Sequence, residues 1–116
     1  MGSANQARGA FGEALVARWY EARGYTVLDR NWRDGRTGEL DLVLGMGDRL
    51  VVFCEVKSRS STAYGDPLEA VDARKLARIR RLAASWLTAH DRRGVEVRID
   101  VAGVLGTKID VVEAVG

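Results

Sequence analysis

Gly38-Glu39-Leu40-Asp41-Leu42-Val43-Leu44 runs through Gly45-Met46-Gly47-Asp48-Arg49 into Leu50-Val51-Val52-Phe53-Cys54-Glu55-Val56-Lys57. Two apolar runs separated by a short, glycine-bearing loop read as the strands of a hairpin. Each run carries charges where a covered strand should stay apolar. An ion there costs several kcal/mol unless a partner or a metal compensates it. Side chains alternate faces along a strand, so Glu39 shares a face with Asp41, and Glu55 with Lys57. Pairing centred on Asp48 sets Asp41 opposite Glu55 and gathers two carboxylates and an ammonium. Divalent-metal phosphodiesterase sites are built this way.

A second reading of Glu55 and Lys57 is a cross-strand ion pair on a solvated sheet. Three features weigh against it. Leu50-Val51-Val52-Phe53 is apolar on both faces, as a covered central strand would be. Asp41 interrupts the other apolar run at a matching depth, and Glu55 lies near the end of a strand that leaves for a polar loop. Mg²⁺ (or Mn²⁺) takes oxygen ligands and keeps several waters, so Asp41, Glu55 and the carbonyl of Val56 form an adequate ligand set. A bound ion would polarise a phosphate and lower the pKa of a water. Lys57 would orient that water or offset charge in the transition state.

Outward from this hairpin, residues 4–23 have a helical period, with Phe11, Leu15, Trp19 and Ala22 as the expected apolar stripe and Gly24 as the stop. Residues 25–32 read as a strand and 33–38 as a turn. Residues 58–65 are small and polar, which predicts a mobile loop. Asp66-Pro67 has the chemistry of a cap and a first helical position, and predicts a helix to about His90 that buries Leu76, Ile79, Leu82, Ala83, Trp86 and Leu87. Val95, Val97, Ile99 and Val101 mark another strand, and residues 108–115 a last one. The order α-β-β-β-α-β-β predicts an α/β fold with a central mixed sheet flanked by helices.

The chain of 116 residues suits a single domain. No apolar run approaches the ~18 residues of a membrane span, and Met1 to Gln6 lack the layout of a signal peptide, so a cytoplasmic protein that does not engage membranes is expected. The lone Cys54 faces the apolar side of its strand and reads as a buried structural thiol. Net charge is only +2, yet Arg74, Lys75, Arg78, Arg80 and Arg81 crowd into two helical turns. Arg74, Arg78 and Arg81 share a stripe that could track a phosphate backbone; the alternative is a solvated helix face. Lys75 lies between the stripe and the apolar face and could lean toward the site. Asp100 reads as a structural partner of an arginine, and His90 as a helix-end residue meeting terminal carbonyls.

The blocks Gly12-Glu13, Asn31-Trp32-Arg33, Gly38-Glu39-Leu40-Asp41-Leu42, Phe53-Cys54-Glu55-Val56-Lys57-Ser58-Arg59 and Arg98-Ile99-Asp100-Val101 resemble the YraN-like bacterial family. That family belongs with the restriction-endonuclease-like, PD-(D/E)XK, nucleases. The resemblance spans almost the whole chain and is weakest at the C-terminal end. It implies a nuclease core similar to that of archaeal Holliday-junction resolvases, with roles on Glu13, Asp41, Glu55 and Lys57. Leu40-Asp41 stands where the superfamily has Pro-Asp, and Cys54 where valine is usual. Glu13 enters only through the resemblance, because its helical spacing places it opposite the expected apolar stripe. Glu39 is either a further ligand or a support behind the ligands.

The leading expectation is a metal-dependent endonuclease acting on branched or junction DNA. Arg36, Arg59, Arg74, Lys75, Arg78 and Arg81 would serve as nucleic-acid contacts; if the helix stripe is only a solvated face, the strand would lie along Arg33, Arg36 and Arg59 instead. Nothing resembles a base-reading module. A junction-cutting role favours a twofold homodimer. The competing expectations are a nuclease-fold module that binds nucleic acid without useful turnover, and a structural protein in which Glu55 and Lys57 are an ion pair.

Overall fold

The computed structural model describes residues 2–59, 69 and 71–115, with side chains from residue 7. Helix α1 (Gly2–Glu21) precedes strands β1 (Thr26–Asp34), β2 (Gly38–Met46) and β3 (Leu50–Arg59); helix α2 (Ala73–Ala89) leads to β4 (Glu96–Leu105) and β5 (Lys108–Val112). The five strands lie in sequence order, β1-β2-β3-β4-β5. All neighbours are antiparallel except β3 and β4, which are parallel and joined through α2. A parallel pair needs such a long crossover, and it makes the sheet mixed. The fold is α/β in the expected order, consistent with a nuclease-like core.

Strand alternation divides the core in two. Leu42, Leu44, Val52, Cys54, Ala102 and Val104 face Val16, Ala17 and Tyr20 of α1. Val43, Val51, Phe53 and Ile99, with Leu40, pack on Ile79, Leu82, Ala83 and Trp86 of α2. The central strand β3 is therefore covered on both sides, which accounts for its unbroken apolar start.

Helix α1 turns a different face inward from the one its large side chains suggest. Phe11 is 55% exposed, Ala22 is exposed, and Leu15 and Trp19 are half-buried. The line of closest contact passes through Gly12, Val16, Ala17 and Tyr20. A Cβ at Gly12 would overlap Ser58 Oγ. The missing side chain lets the helix backbone approach β3, and that approach fixes the rotation of the helix.

Other boundaries also move. Asp34 closes β1, Gly45 and Met46 complete β2, and Ser58 and Arg59 extend β3 instead of opening a loop. The expected loop at residues 60–65 and the helix start at Asp66-Pro67 lie outside the described residues. Helix α2 itself starts later than expected. Residues 71 and 72 are non-helical, and Asp72, in extended conformation, caps Ala73–Ala89 by accepting from the Lys75 N–H.

Candidate functional site

The β2–β3 ladder runs from Met46 opposite Leu50 to Leu42 opposite Cys54 and stops there. The register is the one centred on Asp48, so the next pair would be Asp41 and Glu55. Strand β3 continues alone on this side while still pairing with β4 as far as Arg59 opposite Leu105. Asp41 occupies the gap: its Oδ2 accepts the main-chain N–H of Val56 at 2.8 Å. Val56 thus enters the site through its N–H.

Glu55 is 8% exposed. Its Oε1 lies 2.9 Å from Lys75 Nζ and 3.9 Å from Lys57 Nζ. Lys75 reaches it from the first turn of α2, which covers the face of the sheet on which Glu55 stands. Lys75 is therefore a neighbour of the carboxylate pair itself.

Glu13 and Glu39 meet through Asn31. The Asn31 side-chain amide lies 3.0 Å from Glu13 Oε1 and 3.2 Å from Glu39 Oε1. Arg33 Nε holds the other oxygen of Glu39 at 3.2 Å. Asn31 has φ of 50°, a left-handed conformation that asparagine tolerates better than most residues. Glu39 is thus engaged by Asn31 and Arg33 beside Glu13. Asn31 is a site residue that charge patterning missed; its place in the Asn31-Trp32-Arg33 block was the one signal available.

These contacts shift protonation in opposite senses. Burial, reinforced by Glu55, pushes the Asp41 carboxyl up to about 8, against the pull of the Val56 N–H. Burial also raises Glu13, with Glu39 and Glu55 adding to the rise and Asn31 opposing it. Lys57 is lowered by burial and by the neighbouring Lys75. Burial alone would lower Lys75, but its contacts with Lys57 and Glu55 and the negative charge nearby raise it.

Among the described residues, no three His, Cys, Asp or Glu side chains are grouped to hold an ion by themselves. What the site offers is a pair of acids, Asp41 and Glu55, whose repulsion a cation would relieve. All its donors are hard oxygens, so the chemistry fits Mg²⁺ or Mn²⁺ completed by water. Glu55 Oε1, however, is already engaged by Lys75.

The remaining candidates lie around this centre. Arg74, Arg78 and Arg81 are exposed on α2, and none enters the salt bridges among the described residues. A Cβ at Gly38 would lie 3.6 Å from Arg78 Cδ, so the arginine stem passes over the start of the strand that carries Asp41. Arg36 is exposed in the β1–β2 turn, and Arg59 is half-buried, its Nε without a hydrogen-bond partner among the described residues.

Asp100 is fully buried and stands apart from the centre, on the α1 face. It accepts from Tyr20 Oη at 2.6 Å, Arg98 Nε at 2.9 Å and the Ala114 N–H at 3.1 Å, the structural role expected of it. His90 caps α2, stacks on Trp86 and places Nδ1 2.8 Å from the Trp86 carbonyl. Cys54 is buried, and burial raises its thiol well above the ordinary range, as befits an inert core residue. No helix among the described residues is long and apolar enough to cross a membrane.

Residues 12–104 match the model of the uncharacterised protein family UPF0102. A UPF0102 protein of Beutenbergia cavernae is 57% identical over 105 residues, covering 90% of this chain and 87% of its own. One from Frankia casuarinae is 57% identical over 98 residues, 84% and 81% of the two chains. One from Streptomyces coelicolor is 50% identical over 104 residues, 89% and 79%. The matched span holds Glu13, Asp41, Glu55, Lys57 and Lys75 together, and on this similarity the chain belongs to UPF0102, the YraN-like family.

Proposed function

We propose that this protein is a metal-dependent endonuclease that hydrolyses phosphodiester bonds in DNA, selecting branched or junction structures over sequence. The observation that carries the reading is the end of the β2–β3 ladder, where Asp41 bonds the Val56 N–H beside Glu55 and Lys57 Nζ stands 3.9 Å from Glu55 Oε1. A fold stabilised for its own sake has little reason to place two acids against one another in a partly buried gap. Asp41 and Glu55 would hold Mg²⁺ or Mn²⁺, with the carbonyl of Val56 as the third protein ligand. The ion would supply Lewis-acid polarisation of the phosphate and a water of lowered pKa. Glu13, tied to Glu39 through Asn31, would accept a proton beside these acids. Lys57, its ammonium made easier to deprotonate by burial, would orient the attacking water or meet charge on the phosphate.

DNA would approach across Arg74, Arg78 and Arg81 of α2, with Arg36 and Arg59 as further contacts. A cytoplasmic protein acting as a twofold dimer fits the cutting of symmetric strands. A second reading, a module of the same fold that binds DNA without turnover, draws on the engagement of Glu55 by Lys75. Incubation of duplex, flap, fork and four-way-junction DNA with the protein and Mg²⁺ or Mn²⁺ separates the two. Cleavage of the branched substrates that is abolished by EDTA supports the first. Binding to all of them with no cleavage in either metal supports the second.

A further inference from the structure

The nearest cation to Glu55 comes from another element of the fold. Lys75 is remote from Glu55 in the chain, and the two meet because the first turn of α2 packs over the site. Lys75 Nζ is 2.9 Å from Glu55 Oε1, whereas Lys57 Nζ, on the same strand as Glu55, is 3.9 Å from that oxygen. Lys75 is largely covered, and its own main-chain N–H is bonded to the Asp72 cap at 2.9 Å, which fixes where the side chain departs from the helix. A surface phosphate contact would be aimed at solvent. This ammonium is aimed at a carboxylate.

We propose that Lys75 is a positioning residue that holds the place of the divalent ion in the metal-free protein, competing with it for Glu55. The inference rests on the metal-dependent reading of the same site. With the ion absent, Glu55 is a nearly buried anion beside a second acid, and an ammonium within hydrogen-bonding distance compensates it. When the ion takes Glu55, two cations at one oxygen repel, so Lys75 must move away from it. Metal affinity is therefore set below what the carboxylates alone would provide.

The test is calorimetric titration of MnCl₂ into the metal-free full-length protein, wild type against Lys75→Met and Lys75→Arg, with no DNA present. Removing the competing charge should tighten Mn²⁺ binding by about tenfold, within the range of ordinary couplings between ligands. Lys75→Arg retains a cation for Glu55 and should bind Mn²⁺ with affinity near that of wild type. A residue that only contacts phosphate, or only stabilises α2, would leave Mn²⁺ affinity unchanged or weaken it in Lys75→Met, and either result overturns the proposal. Should Lys75→Met fail to fold, as judged by circular dichroism, Lys75→Gln replaces it with the same two outcomes. If the wild-type protein and the Lys75 variants alike bind no Mn²⁺, the metal-dependent reading itself fails. If the wild type binds Mn²⁺ and the neutral variant binds no tighter, only the role given to Lys75 does.

Discussion

Val56 donates its main-chain N–H to Asp41 Oδ2 at 2.8 Å, at the point where the β2–β3 ladder ends. A backbone donor left without a strand partner is satisfied by a side chain, and the same bond holds Asp41 beside Glu55. The pKa of the Asp41 carboxyl is nevertheless raised to about 8 by burial and by that neighbour. The folded chain therefore favours protonated Asp41, and the sign of the pH dependence follows. The stabilisation is complete below about pH 4, where the unfolded carboxyl is also protonated, and is lost as pH rises toward 8. The raised Glu13 acts in the same direction.

We expect the melting temperature of the metal-free protein to fall between about pH 4 and pH 8, by an amount worth a few kcal/mol. Asp41→Asn keeps a carbonyl for the Val56 N–H and cannot ionise, so most of the slope should vanish. Mn²⁺ should restore stability at the alkaline end, because a ligand carboxylate must be deprotonated to bind. Equal slopes for wild type and Asp41→Asn would remove Asp41 as the titrating group.

Asp41→Asn and Glu55→Gln should each abolish metal-dependent cleavage, with opposite effects on the metal-free fold. Asp41→Asn relieves repulsion and should melt at or above the wild-type temperature. Glu55→Gln leaves Lys75 and Lys57 without their anion in a mostly covered site and should cost about 1–3 kcal/mol. Thermal melts in EDTA, paired with cleavage assays in Mg²⁺, measure both. A large loss of metal-free stability in both variants would point to a structural ion cluster.

Lys57→Ala should reduce turnover far more than DNA affinity. One ammonium adds little to a surface that meets many phosphates, but a good deal to a developing charge in a partly desolvated cleft. Single-turnover cleavage rates and DNA binding in Ca²⁺ separate the two quantities. Equal reductions in both would make Lys57 an ordinary phosphate contact.

Gly12 and Ser58 should behave as a coupled pair. A Cβ at Gly12 would overlap Ser58 Oγ, a buried hydroxyl with no hydrogen-bond partner among the described residues. Gly12→Ala gains about 1 kcal/mol of helix propensity, but it must displace that hydroxyl or push α1 from the sheet, and Glu13 moves with the helix. We expect Gly12→Ala to lower both stability and cleavage, and Ser58→Ala to restore much of each in the double variant. A double-mutant cycle with no coupling would show that the close approach of α1 to β3 is not what places Glu13.

The centre of the fold was legible because two periodicities and a short loop left few choices. One hairpin centred on Asp48 puts Asp41 opposite Glu55, and the apolar start of β3 requires a cover on both faces. Lys75 was legible in direction, from its place between the two faces of α2, though not as the cation closest to Glu55. The inward face of α1 was hidden because a helical wheel ranks side chains by size. Phe11 outranks Gly12 there, although contact is made through the residue with no side chain at all. The start of α2 was obscured because Asp66 and Asp72 offer the same capping chemistry. Asn31 gave no charge signal, since its role comes from a left-handed backbone and an amide that meets two acids.

The arginine stripe offers the most direct test of where DNA lies. Arg74, Arg78 and Arg81 are exposed, and the stem of Arg78 crosses the start of β2 at Gly38. If they track a phosphate backbone, the triple Arg→Gln variant should bind every sequence more weakly. Its slope of log affinity against log salt should be shallower by about 0.9 for each duplex phosphate that it no longer neutralises. The fold should be unaffected, because the substituted side chains stand outside the core and enter no salt bridge among the described residues. Unchanged affinity and salt slope would make the stripe a solvated helix face and move the strand to the other side of the cleft. Arg36 in the β1–β2 turn and Arg59 at the end of β3 would meet its phosphates there, joined by Arg33 if DNA draws it away from Glu39. Fluorescence anisotropy across a salt series, with cleavage blocked by EDTA, decides between the two surfaces.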